Sequence, residues 1–551
     1  MRLSRIFAVC LVVLLVAGFA AWQLWPVQIL VTAYRLTHLV AANRPVHWAE
    51  GPRTAPSGER PPNIVLIVAD DLGINDLTAE GHGTGVAGGV VPTPNIDAIA
   101  REGADFTTAY SANATCSPSR AALLTGRYPQ RFGFEFTAVP DQLAKYVPRY
   151  SPQNRPHPTI YHADLEALTP PMERMGMPAS EVTIAELLKS RGYHTLHIGK
   201  WHLGEASGMR PEDQGFDESL GFMAAASKYA SDKATINAKL PGDPLDRFLW
   251  LALSDGVQFN GSLPFHAGKY MTDYLSDQAV AAIKANRNRP FFLYLAYNAP
   301  HTPLQAAKAD YDALDAIGDE RTRVYAAMIR ALDRGVRRVT AELKAQGLER
   351  DTIVIFTNDN GGAWYAGLPD INRPYRGWKQ TFFEGGIRVP FFMRWTGRIA
   401  PGQRVNIPIE HIDVLPTLAA AAGATLPRGR RIDGVDLLPF IAARQAGTPV
   451  SRPLFWRSGT YEAVRDGDWK LQVSRNPSRI WLFGLRADPT ERTDLSLRRP
   501  DMVARLRSEL AAHDRELAKP LWPALLEEPI RIDVPANAPW KPGQEYVYWP
   551  N

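Results

Sequence analysis

The chain has 551 residues, with 62 Lys and Arg against 57 Asp and Glu and a formal net charge of +5. Hydrophobic residues make up 45% and charged residues 22%, which excludes a disordered, collagen-like or polytopic membrane protein. The positive excess is small and no basic block stands out, so there is no nucleic-acid footprint, and two cysteines, Cys10 and Cys116, exclude a disulfide framework or a cysteine-based zinc site.

The N-terminus comes first. Arg2 and Arg5 precede an uncharged stretch over residues 6–34, whose core at 6–25 is almost wholly apolar. A basic start followed by an apolar run is a secretory signal, and this run is also long enough to span a bilayer. Residues 1–42 are therefore expected to act as a cleaved signal or as an uncleaved membrane anchor. Both place the bulk of the chain beyond the membrane, in the periplasm or the extracellular space, with membrane contact only through this segment. Residues 43–62, rich in Pro, Arg and Gly, read as a linker.

From residue 63 short apolar strands alternate with amphipathic helices, which predicts an α/β fold with a mostly parallel central sheet. Residues 63–69 form a continuous buried-strand pattern that runs into Asp70-Asp71. Thr93-Pro94 opens a helix carrying Ile96, Ile99 and Ala100. Ser117 is the expected N-cap of a second helix, with Pro118 in its first turn and Gly126 at its end. Thr183-Ile-Ala-Glu186 is a capping box. Strands are then expected at 194–198, 291–297 and 352–357. They lead into Gly199-Lys200-Trp201-His202, Asn298-Ala-Pro-His301 and Asn358-Asp359-Asn360-Gly361. A helix continues through 325–333. His411 and Asp413 read as structural. A smaller C-terminal domain is expected from about 445, with antiparallel strands near 462–464, 469–473 and 480–483 and an amphipathic helix at 501–517. The stretches 134–177 and 204–270 read as long irregular loops in which substrate identity lies, and Trp364-Tyr365 either stack on a sugar or aryl ring or pack the loop.

Four strands each deliver polar residues past their carboxyl ends, and in an open α/β sheet those ends share one ligand-binding rim. Asp70, Asp71, Asp359 and Asn360 are hard oxygen donors, suited to Ca²⁺ or Mg²⁺ rather than zinc, although Asp-Asn-Gly-Gly alone is equally a tight turn. Cys116 falls at a helix N-terminus with Arg120 one turn in, an electropositive place for a tetrahedral oxyanion. Lys200, His202, His301 and Lys379 add cations and proton carriers, which suggests an anionic substrate and an acid for its leaving group.

Cys116-Ser-Pro-Ser-Arg120 followed by Leu124-Thr-Gly-Arg127 resembles the signature of the type I sulfatases, arylsulfatase-like members of the alkaline phosphatase superfamily. Gly199-Lys-Trp-His-Leu-Gly204 is similar to the second family signature, and the Asp pair, Pro300-His301-Thr-Pro303, Asp359-Asn360-Gly361 and Glu384-Gly-Gly-Ile-Arg-Val-Pro390 follow in the family's order. The likeness runs from Pro62 into the 520s. It implies an alkaline phosphatase-like large domain (63–444) and a small C-terminal α+β domain (445–551) holding a four-stranded antiparallel sheet with a helix. It implies that a formylglycine-generating maturation enzyme oxidises Cys116 to Cα-formylglycine. The hydrate of that aldehyde attacks sulfur, and its second hydroxyl then expels sulfate. A plain thiolate would have no such release step.

The resemblance makes Asp70, Asp71, Asp359 and Asn360 the Ca²⁺ ligands, with Cys116 the fifth position and Mg²⁺ the less favoured ion. Arg120 stabilises the diol. Lys200 and His202 orient it, with His202 the base in sulfate release. His301 and Lys379 hold the sulfate, with His301 the acid. Two departures bear on loop shape: Asn358 stands where Ser is common, and Trp378 and Gln380 flank Lys379 where glycines are common. The expected substrate is an aryl or carbohydrate sulfate ester. The competing expectations are a phosphomonoester or phosphonate monoester hydrolase of the same superfamily and a non-catalytic, membrane-tethered glycan-binding protein.

Overall fold

The computed structural model describes residues 39–55, 60–79, 91–139, 141–150, 155–231, 233–442 and 452–551. The expected signal or anchor at 6–34 and Cys10 lie outside these residues. Among the described residues no helix is long and apolar enough to cross a membrane.

The elements that position the site are, in chain order, β1 (Asn63–Ala69), α1 (Pro94–Arg101), β2 (Ala104–Phe106), α2 (Cys116–Thr125), α3 (Asp141–Tyr150), α4 (Ile184–Lys189), β3 (His194–Lys200), β4 (Glu218–Phe222), α5 (Pro244–Ala252), β5 (Gly256–Phe259), β6 (Phe265–His266), α6 (Met271–Asn286), β7 (Phe291–Ala296), α7 (Glu320–Ala345), β8 (Thr352–Asn358), β9 (Phe391–Trp395), β10 (Gln403–Val405) and α8 (Val414–Ala422). They build one ten-stranded sheet in the order β10-β2-β9-β8-β1-β7-β3-β4-β5-β6. The five strands β8, β1, β7, β3 and β4 run parallel. The antiparallel pairs β8–β9 and β4–β5 flank them.

The continuous apolar run of β1 follows from its central place, since helices cover both faces of the sheet. Alternate residues serve the two sides. Val65 and Ile67 pack with α1, α6 and α7 through Ile96, Leu275 and Leu332. Ile64, Leu66 and Val68 pack with α2, α4 and α8 through Leu123, Leu187 and Leu415. The capping box at α4 forms as expected: Thr183 N–H donates to Glu186 Oε2 at 2.7 Å, and Glu186 N–H to Thr183 Oγ1 at 3.3 Å.

The segment expected to be irregular at 204–270 is instead ordered into β4, α5, β5 and β6. β4 carries Gly221 and only five residues, so pairing with β3 rather than its own pattern makes it a strand. The segment 134–177 likewise holds α3. Beyond residue 452, the strands β11 (Leu454–Ser458), β12 (Tyr461–Asp466), β13 (Trp469–Arg475) and β14 (Ser478–Gly484) form an antiparallel four-stranded sheet, with α9 (Pro500–Asp514) packed on it. The chain then returns to the large body. β15 (Leu526–Arg531) pairs with β16 (Tyr546–Pro550) and with the short strand Ile160–Tyr161, which brings Leu526 and Trp549 over the site.

Candidate active site

Because β1, β3, β7 and β8 are parallel, Asp70, Lys200, His301 and Asp359 all emerge at one rim. The fifth contributor is α2. Its first residue is Cys116 itself, capped by Thr115 in extended geometry, so the helix starts two residues earlier than the expected Ser117 cap implies. The Ser117 hydroxyl is used elsewhere and donates to the His202 carbonyl at 2.5 Å. Asn113 Oδ1 accepts from Thr115 N–H and Oγ1, which steadies the turn into the helix.

The sequence-predicted residues lie together and are buried. Lys379 Nζ is 2.9 Å from Cys116 Sγ and 2.7 Å from Asp71 Oδ1. Lys200 Nζ is 2.6 Å from Asp70 Oδ2, and Asp70 Oδ1 is 3.6 Å from Cys116 Sγ. Arg120 grips Asp359 Oδ2 through Nε at 3.0 Å and Nη2 at 2.8 Å. Asn360 Nδ2 donates to Asp71 Oδ1 at 2.7 Å.

Charge governs these groups. Burial raises Asp70 well above the ordinary carboxylate range, and the neighbouring Asp359 charge adds to this. Burial also opposes ionisation of Asp71 and Asp359, but the surrounding cations, led by Lys379 and Arg120 respectively, together more than offset it and hold both low. Burial, reinforced by Lys200 and Arg120, keeps His202 neutral, and both its ring nitrogens lack a partner among the described residues. His301 Nδ1 lies 2.5 Å from the Thr302 carbonyl and must donate to it, so Nε2 faces Asp71 and Tyr365 at 3.5 Å each.

The donor atoms at the rim suit a hard cation. Asp70, Asp71, Cys116 and His301 offer ligand atoms that all lie within 4.8 Å of one another. Asn360 Oδ1 is buried with no hydrogen-bond partner, the state of a donor oxygen aimed at a cation. The residues fit such an ion.

Three non-glycine residues with positive φ sit at the rim: Asp71 (φ 60), His202 (φ 57) and Gln380 (φ 71). This left-handed geometry costs roughly 1–2 kcal/mol per residue. The surroundings hold it, with Gln380 N–H donating to the Ala114 carbonyl at 2.8 Å and Trp364 Nε1–H donating to Gln380 Oε1 at 2.9 Å. Gln380 therefore adopts the backbone conformation that glycine takes freely. The other departure is also explained. Asn358 Nδ2 donates to the Leu72 carbonyl at 2.7 Å and its Oδ1 accepts from Leu72 N–H at 3.2 Å, which ties the two carboxylate loops together. Asn358→Ala should cost about 2–4 kcal/mol by orphaning both buried groups. Asn358→Ser should cost less. Unfolding midpoints would check this, and equal midpoints for wild type and Asn358→Ala would refute the clamp.

The sequence offered Tyr365 only as a stacking or loop-packing ring, and gave no sign of Tyr294. Tyr365 O–H donates to Asp71 Oδ2 at 3.1 Å, and its largely buried ring lines the cavity floor beside Lys379. Arg120 Nη1 reaches the Tyr294 hydroxyl at 3.4 Å from within the uniform apolar run of β7. His411 bridges Ser119 Oγ at 3.2 Å and Thr357 Oγ1 at 3.1 Å, a packing role. Gly361 has no room for a side chain, since a Cβ there would lie 1.9 Å from the Gly385 carbonyl. Above Cys116, His202, His301, Tyr365 and Lys379 opens a cavity of about 240 Å³.

A parallel sheet with helices on both faces, an antiparallel C-terminal sheet and a helix that starts at a buried cysteine on a carboxylate-rich rim fit an ester hydrolase of the alkaline phosphatase superfamily. Comparison with known proteins narrows this. A family model described as Sulfatase matches residues 62–424. An N-acetylgalactosamine-6-sulfatase from Mus musculus is 34% identical over 427 residues, covering 76% of this chain and 73% of that protein. A steryl-sulfatase from Mus musculus is 34% identical over 454 residues, covering 71% and 67%. The solved structure of Ps i-CgsB superposes with a TM-score of 0.70 at 31% identity, covering 84% of this chain and 95% of that one. The chain belongs to the sulfatase family, and it is a sulfuric ester hydrolase.

Proposed function

We propose that the chain cleaves an organic sulfate ester outside the cytoplasm, using a Cα-formylglycine made from Cys116 and a bound Ca²⁺. The observation that carries this reading is the meeting of two opposed charge sets around the Cys116 sulfur. Asp70, Asp71 and Asp359 stand with the unpartnered Asn360 Oδ1, and Arg120, Lys200 and Lys379 interleave with them.

Asp70, Asp71, Asp359, Asn360 and residue 116 would hold the ion, which when bound neutralises the carboxylates and draws charge from a sulfate oxygen. The oxygen-rich set favours Ca²⁺ over zinc, with Mg²⁺ second. The hydrated formylglycine supplies the oxygen nucleophile. Lys379 meets the sulfate oxygens and Arg120 stabilises charge at residue 116. His202, neutral and unpartnered, takes a proton during sulfate release, and Lys200 orients residue 116. His301 presents Nε2 to the leaving oxygen because Thr302 holds Nδ1. A maturation enzyme that oxidises Cys116, and export through the N-terminal segment, belong to this reading.

Chelation of divalent ions should lower kcat at least about 100-fold, as expected for a cation supplying several kcal/mol of charge stabilisation. Ca²⁺ should restore the rate. Full activity in chelator would overturn the metal assignment. Rates on matched sulfate and phosphate monoesters decide the second reading, a phosphomonoester or phosphonate monoester hydrolase, which a large phosphate preference would establish.

A further inference from the structure

We infer that the substrate is the monosulfate of an apolar alcohol or phenol rather than a sulfated saccharide. This rests on the sulfate-ester reading above and concerns the walls of the same cavity.

The sulfate end is polar, but the walls are not. Val147, Met175, Met223, Phe248, Leu249 and Trp549 face the cavity. Two of the wall elements are helices. On α5, Leu245, Phe248 and Leu249 fall at i, i+3 and i+4 and are only half-buried, while Trp250 beside them is buried. On α3, Leu143 and Val147 stand one turn apart on the same cavity. An apolar stripe normally packs against the core. Here Leu245 packs partly on the core and Phe248 partly on Tyr146 of α3, and the surface they leave open lines the same cavity as Cys116, so what covers that surface is the group attached to the sulfate.

Charge points the same way. Among the described residues lining the cavity, Lys379 is the only Lys or Arg, and it is committed to the sulfate end. The walls carry two carboxylates instead, Glu205 and Glu528. Beyond the sulfate end, a polysulfated or uronate-bearing chain would find no cation among these lining residues to pair with. A saccharide also needs a partner for each hydroxyl it buries. Two amide oxygens on the walls already accept hydrogen bonds from the protein. Gln380 Oε1 accepts from Trp364 Nε1–H at 2.9 Å, and the Asn551 side chain exchanges hydrogen bonds with the Thr137 backbone at 2.8 and 3.2 Å.

The test uses the full mature enzyme and primary alkyl sulfates, whose leaving groups match that of a hexose 6-sulfate. Along the series from n-butyl to n-octyl sulfate, kcat/KM should rise about fourfold per methylene until the cavity is filled. n-Hexyl sulfate should exceed galactose 6-sulfate and N-acetylgalactosamine 6-sulfate at least 100-fold. Phe248→Ser and Met223→Ser should each flatten the chain-length slope. A variant that fails to fold, judged by circular dichroism, leaves the wild-type series to decide. A flat series, or a hexose 6-sulfate turned over as well as n-hexyl sulfate, would overturn the inference while leaving the sulfatase reading intact. Hydrolysis of n-hexyl phosphate with none of any sulfate would instead remove the sulfate-ester reading, and the inference with it.

Discussion

Replacing Cys116 with alanine should lower kcat by at least about 10⁴-fold, the scale seen when a covalent nucleophile is removed. The fold should survive, because the side chain is small and Asp70, Lys379, Arg120 and Lys200 keep their other partners. The informative companion is mass spectrometry of the Cys116 peptide from active protein made in its native host. An aldehyde in place of the thiol is expected, and fully active protein carrying an unmodified thiol would falsify the formylglycine assignment. Serine at 116 separates a need for any nucleophile from a need for the hydrated aldehyde. It supplies a hydroxyl but no second oxygen to expel sulfate, so at most a single turnover should occur.

The parts of the site legible in the sequence were those with a local signature. Asp70-Asp71 and Asp359-Asn360 follow uniform apolar runs, and the rim they share follows from parallel strands alone. The roles of Asn358, Tyr365 and Tyr294 were not legible. Asn358 works across 286 positions to Leu72, and Tyr365 across 294 to Asp71. No spacing rule reaches that far. Tyr294 hides because β7 is buried on both faces and its alternation is erased. The cavity walls were obscured for another reason: the strand β4 takes its identity from the register of β3, and α3 and α5 are short helices inside long, Pro-containing segments. The positive φ of Gln380 was not legible: the departure from the family's common glycines at Trp378 and Gln380 marked only loop shape, and of the two only Gln380 is left-handed.

The second large effect lies away from the chemistry. Lys470, on β13 of the C-terminal sheet, is fully buried with Nζ 2.8 Å from Glu384 Oε1 and 3.0 Å from Glu491 Oε1. Glu384 also accepts from the Tyr110 hydroxyl at 2.8 Å, and its own N–H donates to Glu491 Oε2 at 2.6 Å. Five residues upstream of Glu384 is Lys379, so this ion cluster anchors the loop that brings Lys379 to Cys116 and Asp71. Lys470→Met leaves Glu491 without its cation and Glu384 with Arg388, and should cost about 3–5 kcal/mol. The sign of its pH dependence follows from Glu491. Burial, with the Glu384 charge, pushes Glu491 up to about 7, partly offset by Lys470, whereas Lys470 and Arg388 overcome burial to hold Glu384 at about 2. A raised carboxyl contributes stability below its unfolded value near 4.5 and loses it as pH rises through about 7. Without Lys470 both acids rise further, so the deficit should be smaller at pH 5, where protonation relieves it, than at pH 8. Unfolding midpoints of wild type, Lys470→Met and Lys470→Met/Glu491→Gln at both pH values would measure this. The double variant should recover at least about 1 kcal/mol at pH 8, since it removes one stranded charge. A deficit independent of pH and unrelieved by the glutamine would show that Lys470 acts through packing, and that the C-terminal sheet holds the Lys379 loop by shape rather than by charge.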